Sequence, residues 1–225
     1  MSSCPYPIEI VLPGGPKKGQ KQVVPCGKCG CCLQSRRNDW AIRLKEEQRV
    51  SLNSYFVTLT YEESNLTITD TGFPTLVKSD LQKFLKRLRK TVDSLPINKF
   101  NYDMATDYST HDAKKESNHG IRYYAVGEYG TRYQRPHYHL LLFNVPQMVL
   151  SRLPEIWDQG HVHCGAVNIR TIMYCLSYHI TRDPNASEDY NRAPEFVTMS
   201  RRPESGIPMW VVSPAGMLRM SYCIR

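Results

Sequence analysis

The run Tyr55-Phe56-Val57-Thr58-Leu59-Thr60-Tyr61 is aromatic or β-branched at nearly every position and contains no glycine, proline or charge. Such side chains lose rotamer freedom in a helix and fit a pleated sheet, so a strand here constrains the fold most. Side chains alternate across a strand. Tyr55, Val57, Leu59 and Tyr61 therefore share one face, and Phe56, Thr58 and Thr60 share the other. An aromatic and aliphatic face of that kind needs cover, and the rest of the chain offers it. From Leu33 to about Val50 the residues suit a helix with Trp40 and Leu44 one turn apart. Ser79-x-x-Gln82 fits a capping box, followed by Leu81, Phe84, Leu85, Leu88 and Val92 at helical spacing. Ile121 to Tyr129 and Tyr138 to Asn144 read as strands joined through the turn Gly130 to Pro136, which makes a hairpin. A short helix around Met148 to Trp157, a strand around Val162 to Arg170 and a helix from Thr171 to Arg182 follow. The order β-α-β-β-α-β-α predicts an α+β domain. Met1 to Gln22 reads as an irregular arm, 98–119 as a polar surface loop, and the chain after Asp183 as irregular and proline-rich. These breaks predict a Cys-rich arm and helix at 1–50, a core at 51–185 and a C-terminal extension at 186–225.

Hydrophobic residues make up 41 % of the 225, enough for a core, and charged residues 22 %, too few for a disordered chain. The net charge of +8 and a pI near 9.1 favour a polyanionic partner, nucleic acid or an anionic membrane surface, over a merely basic exterior. No run approaches the ~20 apolar residues that span a bilayer, and Met1 to Pro16 lacks a signal-like pattern. The expected location is the cytoplasm, with no membrane partner, where the eight cysteines would be reduced. Cys26-x-x-Cys29-x-x-Cys32 has knuckle-like spacing, with Cys4 as a fourth sulfur. It reads as a structural Zn²⁺ site or as reduced free thiols. Lys83, Lys86, Arg87, Arg89 and Lys90 form either a solvated helix face or a ridge that tracks phosphates.

Two constellations carry chemistry. His137 and His139 lie two apart on a strand and project together, while Tyr138, Leu140 and Leu142 face away. Two neutral imidazoles at a fixed separation suit a divalent cation. Glu128, near the end of the partner strand, can supply a carboxylate. On the last helix Ile172, Leu176 and Ile180 form a core ridge, and Tyr174, Tyr178 and Arg182 form a second one. A tyrosine can attack a DNA phosphorus and hold it covalently. A phenol with a pKa near ~10 is a weak nucleophile at neutral pH, so a cation on the phosphate would help.

Taken together, Phe56-Val57-Thr58-Leu59-Thr60-Tyr61, Arg135-Pro136-His137-Tyr138-His139 and Tyr174-x-x-x-Tyr178 resemble the three motifs of HUH endonucleases. Gly127-Glu128-Tyr129-Gly130 and Pro25-Cys26-Gly27-Lys28-Cys29 resemble signatures of rolling-circle replication initiators of gokushovirus-type microviruses, small single-stranded DNA phages. The resemblance implies a central antiparallel sheet, about five-stranded, with the histidines on its open face and helices on the other. It implies Mg²⁺ or Mn²⁺ on His137, His139 and Glu128, and Tyr174 and Tyr178 as nucleophiles. Arg182, Arg135, Thr58 and Thr60 would contact DNA or support the site. Ser177 and Thr181 stand where relatives often carry lysine, which shifts the basic role toward Arg182. The implied partners are a single-stranded DNA origin and the host helicase and polymerase, in a bacterial cytoplasm. Two rivals keep other outcomes open: a non-catalytic basic zinc-containing DNA-binding protein, and a hydrolase in which the same three ligands activate water.

Overall fold

A computed structural model describes residues 4–95, 120–130, 132–177 and 191–200, together with the paired segments 211–212 and 218–219. The core is an α+β sandwich around a five-stranded antiparallel sheet of order β6-β3-β5-β4-β7. Its strands are β3 (Ser54–Tyr61), β4 (Arg122–Tyr129), β5 (Pro136–Phe143), β6 (Gly160–Ala166) and β7 (Phe196–Met199). The helices are α1 (Gly30–Val50), α2 (Lys78–Asp93), α3 (Leu153–Trp157) and α4 (Ile169–Ser177). A separate hairpin, β1 (Ile8–Val11) and β2 (Lys21–Val24), precedes them, and β8 (Val211–Val212) pairs with β9 (Leu218–Arg219). Among the described residues no helix is long and apolar enough to cross a membrane.

The alternation of β3 decides the layering. Its Val57, Leu59 and Tyr61 join Tyr138, Leu140 and Leu142 of β5 beneath α2 and α3, with Trp157 fully buried among them. The Trp157 indole donates to the Thr60 carbonyl at 2.9 Å, which ties α3 to the end of β3. Tyr138 anchors this layer. Its hydroxyl accepts from the Val77 N–H at 2.9 Å, donates to the Val77 carbonyl at 3.0 Å and lies 2.8 Å from the Tyr61 hydroxyl. Holding Tyr138 on this side obliges His137 and His139 to face the other.

The opposite face is not left to the tyrosine helix alone. One half of it, Phe56, Tyr124, Val126, Leu141 and Phe143, is covered by α1 and α4 through Trp40, Leu44, Ile172, Cys175 and Leu176. The polar half, with the histidines, remains outside that cover.

Several local expectations change. Helix α2 begins at Lys78 with Val77 as N-cap and no side-chain cap, so Ser79 is not the capping residue. The Tyr138 hydroxyl takes both backbone groups of Val77 and sets the start of α2 instead. Strand β6 ends at Ala166, short of Arg170, because Asn168 Oδ1 accepts from the Arg170 and Thr171 N–H groups at 2.9 and 3.1 Å and starts α4 early. The arm contains a hairpin, and the C-terminal region supplies β7. Gly127 makes β7 possible. A side chain there would meet the Phe196 ring at 2.7 Å. The basic face of α2 is largely engaged within the molecule. Arg87 is bonded to Asp158 and to the Trp157 carbonyl, Lys83 pairs with Asp80 at 3.1 Å, and Arg89 lies over the Tyr123 ring.

Candidate active site

The β4–β5 hairpin sets Glu128 opposite His137 and Val126 opposite His139, while β3 sets Thr60 and Thr58 against the same histidines on the other side. The two imidazoles stand parallel, with centroids 6.4 Å apart and planes 1° apart. Each is oriented by a different partner. His137 Nδ1 lies 2.7 Å from the Arg135 carbonyl, which can only accept, so Nδ1 carries the proton and the neutral ring keeps its lone pair on Nε2. Gly130 permits this placement, since a Cβ there would lie 3.0 Å from the His137 ring. His139 Nε2 lies 2.7 Å from Glu128 Oε1, and its Nδ1 lies 3.0 Å from Thr58 Oγ1. A hydroxyl both donates and accepts, so Thr58 can serve His139 whichever nitrogen holds the proton.

Tyr174 reaches this pair from α4. Its hydroxyl donates to Glu128 Oε1 at 2.9 Å and lies 3.4 Å from His139 Nε2. Its ring meets His139 edge to face at 5.0 Å and Phe56 at 6.4 Å. Burial first, then the Glu128 carboxylate, hold the Tyr174 phenol well above the usual range. Behind it α1 braces the helix. The Arg37 guanidinium donates to the Met173 carbonyl at 3.1 Å, and Trp40 packs on Tyr124 at 5.8 Å. Tyr178 and Arg182, the second tyrosine and the expected phosphate contact, lie outside the described residues.

The donor set fits a hard divalent cation. Glu128 is 4 % exposed, and its Oε2 is buried with no hydrogen-bond partner. An ionised oxygen left so in a core costs a few kcal/mol, on the order of 1–3 or more, unless something positive meets it. Two nitrogens with lone pairs and a carboxylate suit Mg²⁺ or Mn²⁺. The other expected supports divide. Thr58 touches His139. The Thr60 hydroxyl instead donates to the His161 carbonyl at 3.4 Å. Arg135 is committed to Glu63 at 2.6 Å and to the Tyr61 carbonyl at 2.9 Å, so it ties the hairpin turn to the end of β3.

His161 and His163 are not among the residues that the sequence motifs single out. The register places them opposite Thr60 and Thr58, on the face of His137 and His139. Their own alternation in Gly160-His161-Val162-His163-Cys164 is the signal that could have found them.

The second cluster lies at the start of α1. Cys4, Cys26, Cys29 and Cys32 bring their sulfurs within 4.8 Å of one another, and among the described residues they are the one such group of three or more ligating side chains. Cys4–Cys29 and Cys26–Cys32 separations are 3.8 and 4.0 Å. A tetrahedral site with Zn–S near ~2.3 Å spaces its sulfurs about 3.8 Å apart, so these four can hold a metal ion such as zinc. Backbone N–H groups of Lys28 and Cys29 lower the Cys26 thiol to about 6. The Gly27 backbone lowers Cys32, but burial and bonds with Cys29, Cys4 and Cys26 outweigh it and push that thiol up to about 12.

The stretch that holds this geometry is the stretch shared with known proteins. A family model for the replication-associated protein ORF2 type matches residues 54–183, from β3 through the tyrosine helix. The chain belongs to this family of phage replication proteins. The matched stretch leaves the cysteine cluster outside it. Among relatives, the chain is 28 % identical over 197 residues to Replication-associated protein ORF2 of Spiroplasma virus 4, covering 79 % of this chain and 54 % of the relative. It is 27 % identical to Replication-associated protein VP4 of Bdellovibrio phage phiMH2K, over 68 % of this chain and 47 % of that one. It is 32 % identical to Replication-associated protein ORF4 of Chlamydia phage 1, over 69 % and 37 %. The matches thus span about half, or less, of the relatives' length. No solved structure matches the chain.

Proposed function

We propose that this replication-associated protein nicks and rejoins single-stranded DNA through a 5′-phosphotyrosine, as an HUH endonuclease that starts and ends rolling-circle replication of a small circular genome. One observation carries the reading. The Tyr174 hydroxyl, the Glu128 carboxylate and the His139 imidazole meet within 3.4 Å, although they come from three separate elements.

In this reading His137, His139 and Glu128 would hold Mg²⁺ or Mn²⁺, which when bound offsets the charge that develops on the scissile phosphate. Tyr174 Oη forms the new bond to phosphorus, and the bond to the 3′ oxygen breaks. The leaving strand gains a 3′-hydroxyl that a host polymerase can extend. Glu128 Oε1 already accepts the phenol hydrogen at 2.9 Å, so it is the base within reach of Oη. The raised Tyr174 pKa keeps the phenol neutral in the resting protein. Thr58 fixes the His139 ring, and the Arg135 carbonyl fixes that of His137. Tyr178, one helical turn from Tyr174, would cut the regenerated origin after one round, with Arg182 beside the phosphate. The cysteine cluster would hold one structural Zn²⁺.

The test is a denaturing gel of protein with labelled single-stranded genomic fragments, with and without chelator. A covalent adduct should retain label only from the 3′ side of the nick. Tyr174→Phe or Tyr178→Phe alone should leave a single cut but impair rejoining. The pair together should remove the adduct and keep DNA binding. Cleavage without any adduct would transfer the site to water activation. Binding without cleavage would leave a non-catalytic DNA-binding protein.

A further inference from the structure

Strand β6 is an edge of the sheet and pairs with β3 from Tyr55↔Ala166 to Tyr61↔Gly160. The register builds two rows across the sheet. Glu128, His137, Thr60 and His161 form one, and Val126, His139, Thr58 and His163 form the other. Both rows begin at the proposed reaction centre and end at an exposed imidazole on the sheet margin. Strands lie about 4.8 Å apart, so the β6 histidines start about 10 Å from those of β5. Along β6 they stand two residues apart, on the order of 7 Å. The strand that presents them is firmly held. Val162 between them packs against the core beneath, and the Thr60 hydroxyl bonds the His161 carbonyl. The half of this face beyond α1 and α4 is polar, so nothing apolar draws a helix over it.

We infer that His161 and His163 form a single-stranded DNA contact that carries the strand from the Tyr174 centre to the β6 edge. The inference rests on the single-strand nicking reading. An imidazole has a flat ring on which a base can stack and an N–H that a phosphate can accept, without a permanent charge. Thr58 and Thr60 lie between the inner and outer histidines in both rows. These are positioning residues, since neither reaches the reacting hydroxyl.

The test compares the full chain with His161→Ala/His163→Ala, using dye-labelled oligothymidine in chelator so that no cation bridges the rings. Losing a stacked or phosphate-bound partner should weaken binding about tenfold or more, with an unchanged melting temperature. On a strand that the wild type cleaves, the loss should fall on KM and leave kcat alone. His161→Phe/His163→Phe and His161→Lys/His163→Lys sort the contact. Restoration by phenylalanine assigns it to bases and restoration by lysine assigns it to phosphates. Restoration by neither overturns it, because the strand itself has then been damaged. Wild-type affinity in the alanine pair also overturns it, even if nicking proceeds. If the wild type forms no adduct on any strand but the alanine pair still loses affinity, the contact stands and the endonuclease reading falls.

Discussion

The cysteine cluster and the histidine–glutamate site prepare for a cation in opposite ways. The four sulfurs are gathered within 4.8 Å by one turn, one helix start and the arm that begins at Cys4, all close in sequence except Cys4. His137, His139 and Glu128 sit on a rigid sheet but are drawn to other partners: a carbonyl, a hydroxyl and the Tyr174 phenol. A closed set of four ligands leaves no position for a substrate. An open set with an orphaned carboxylate oxygen does. The contrast suggests that one centre is for holding the chain and the other for acting on something that enters.

If so, disabling each should damage different properties. The largest effect is expected from His137→Ala/His139→Ala. Losing several kcal/mol of transition-state stabilisation should slow nicking about a thousandfold or more, while the melting temperature barely moves because both changes sit on a well-paired strand. Adduct formation at wild-type rates in that variant would remove the contrast. Cys26→Ser/Cys29→Ser comes next. Elemental analysis of protein purified without added metal should find about one zinc per chain in the wild type and none in the variant. Hydrogen exchange should accelerate through the β1–β2 hairpin and the start of α1, with nicking reduced less than tenfold. Zinc-free wild type that exchanges like the loaded protein would leave the cluster as free thiols.

A smaller effect concerns acid. With Cys26 titrating near 6 and Cys32 near 12, the metal-free cluster holds its first thiolate at Cys26. The Cys26 thiol is lowered, so its anionic form is present above about pH 6 and is lost as pH falls through that value. Peptide mapping after brief iodoacetamide treatment at about pH 7 should find Cys26 modified first, and the preference should fade below about pH 6. Equal modification of all four would contradict the gathered geometry. The smallest effect tests whether the two regions are joined at all. Arg37→Ala removes the 3.1 Å bond from α1 to the Met173 carbonyl. The cost should be about 1 kcal/mol in stability, with a few-fold loss in adduct rate as α4 loosens. An unchanged rate would show that α1 supports the cysteine end without steering Tyr174.

What can be read from the chain follows the range of each interaction. The 55–61 run, the His137-Tyr138-His139 alternation and the apolar spacing of α2 are local periodicities, and the elements form where the pattern places them. The start of α2 departs from the local rule that Ser79 satisfies, because a hydroxyl from β5, 61 residues away, holds Val77. The β1–β2 hairpin gives no comparable signal, since its exposed strands lack a buried alternating face. Strand β7 depends on Gly127 yielding space to Phe196, a fact about two distant residues.

By itself the sequence determined which side chains share a face, because strand and helix periods are properties of the backbone alone. It therefore placed His137 with His139, and Glu128 within reach of them. Only the tertiary structure decided that the Tyr174 hydroxyl, 46 residues from Glu128, arrives at its carboxylate, because α1 and α4 must bury the apolar half of the face. It also decided that His161 and His163 extend the same two rows, since register between strands is a pairing of separate segments that no single segment contains.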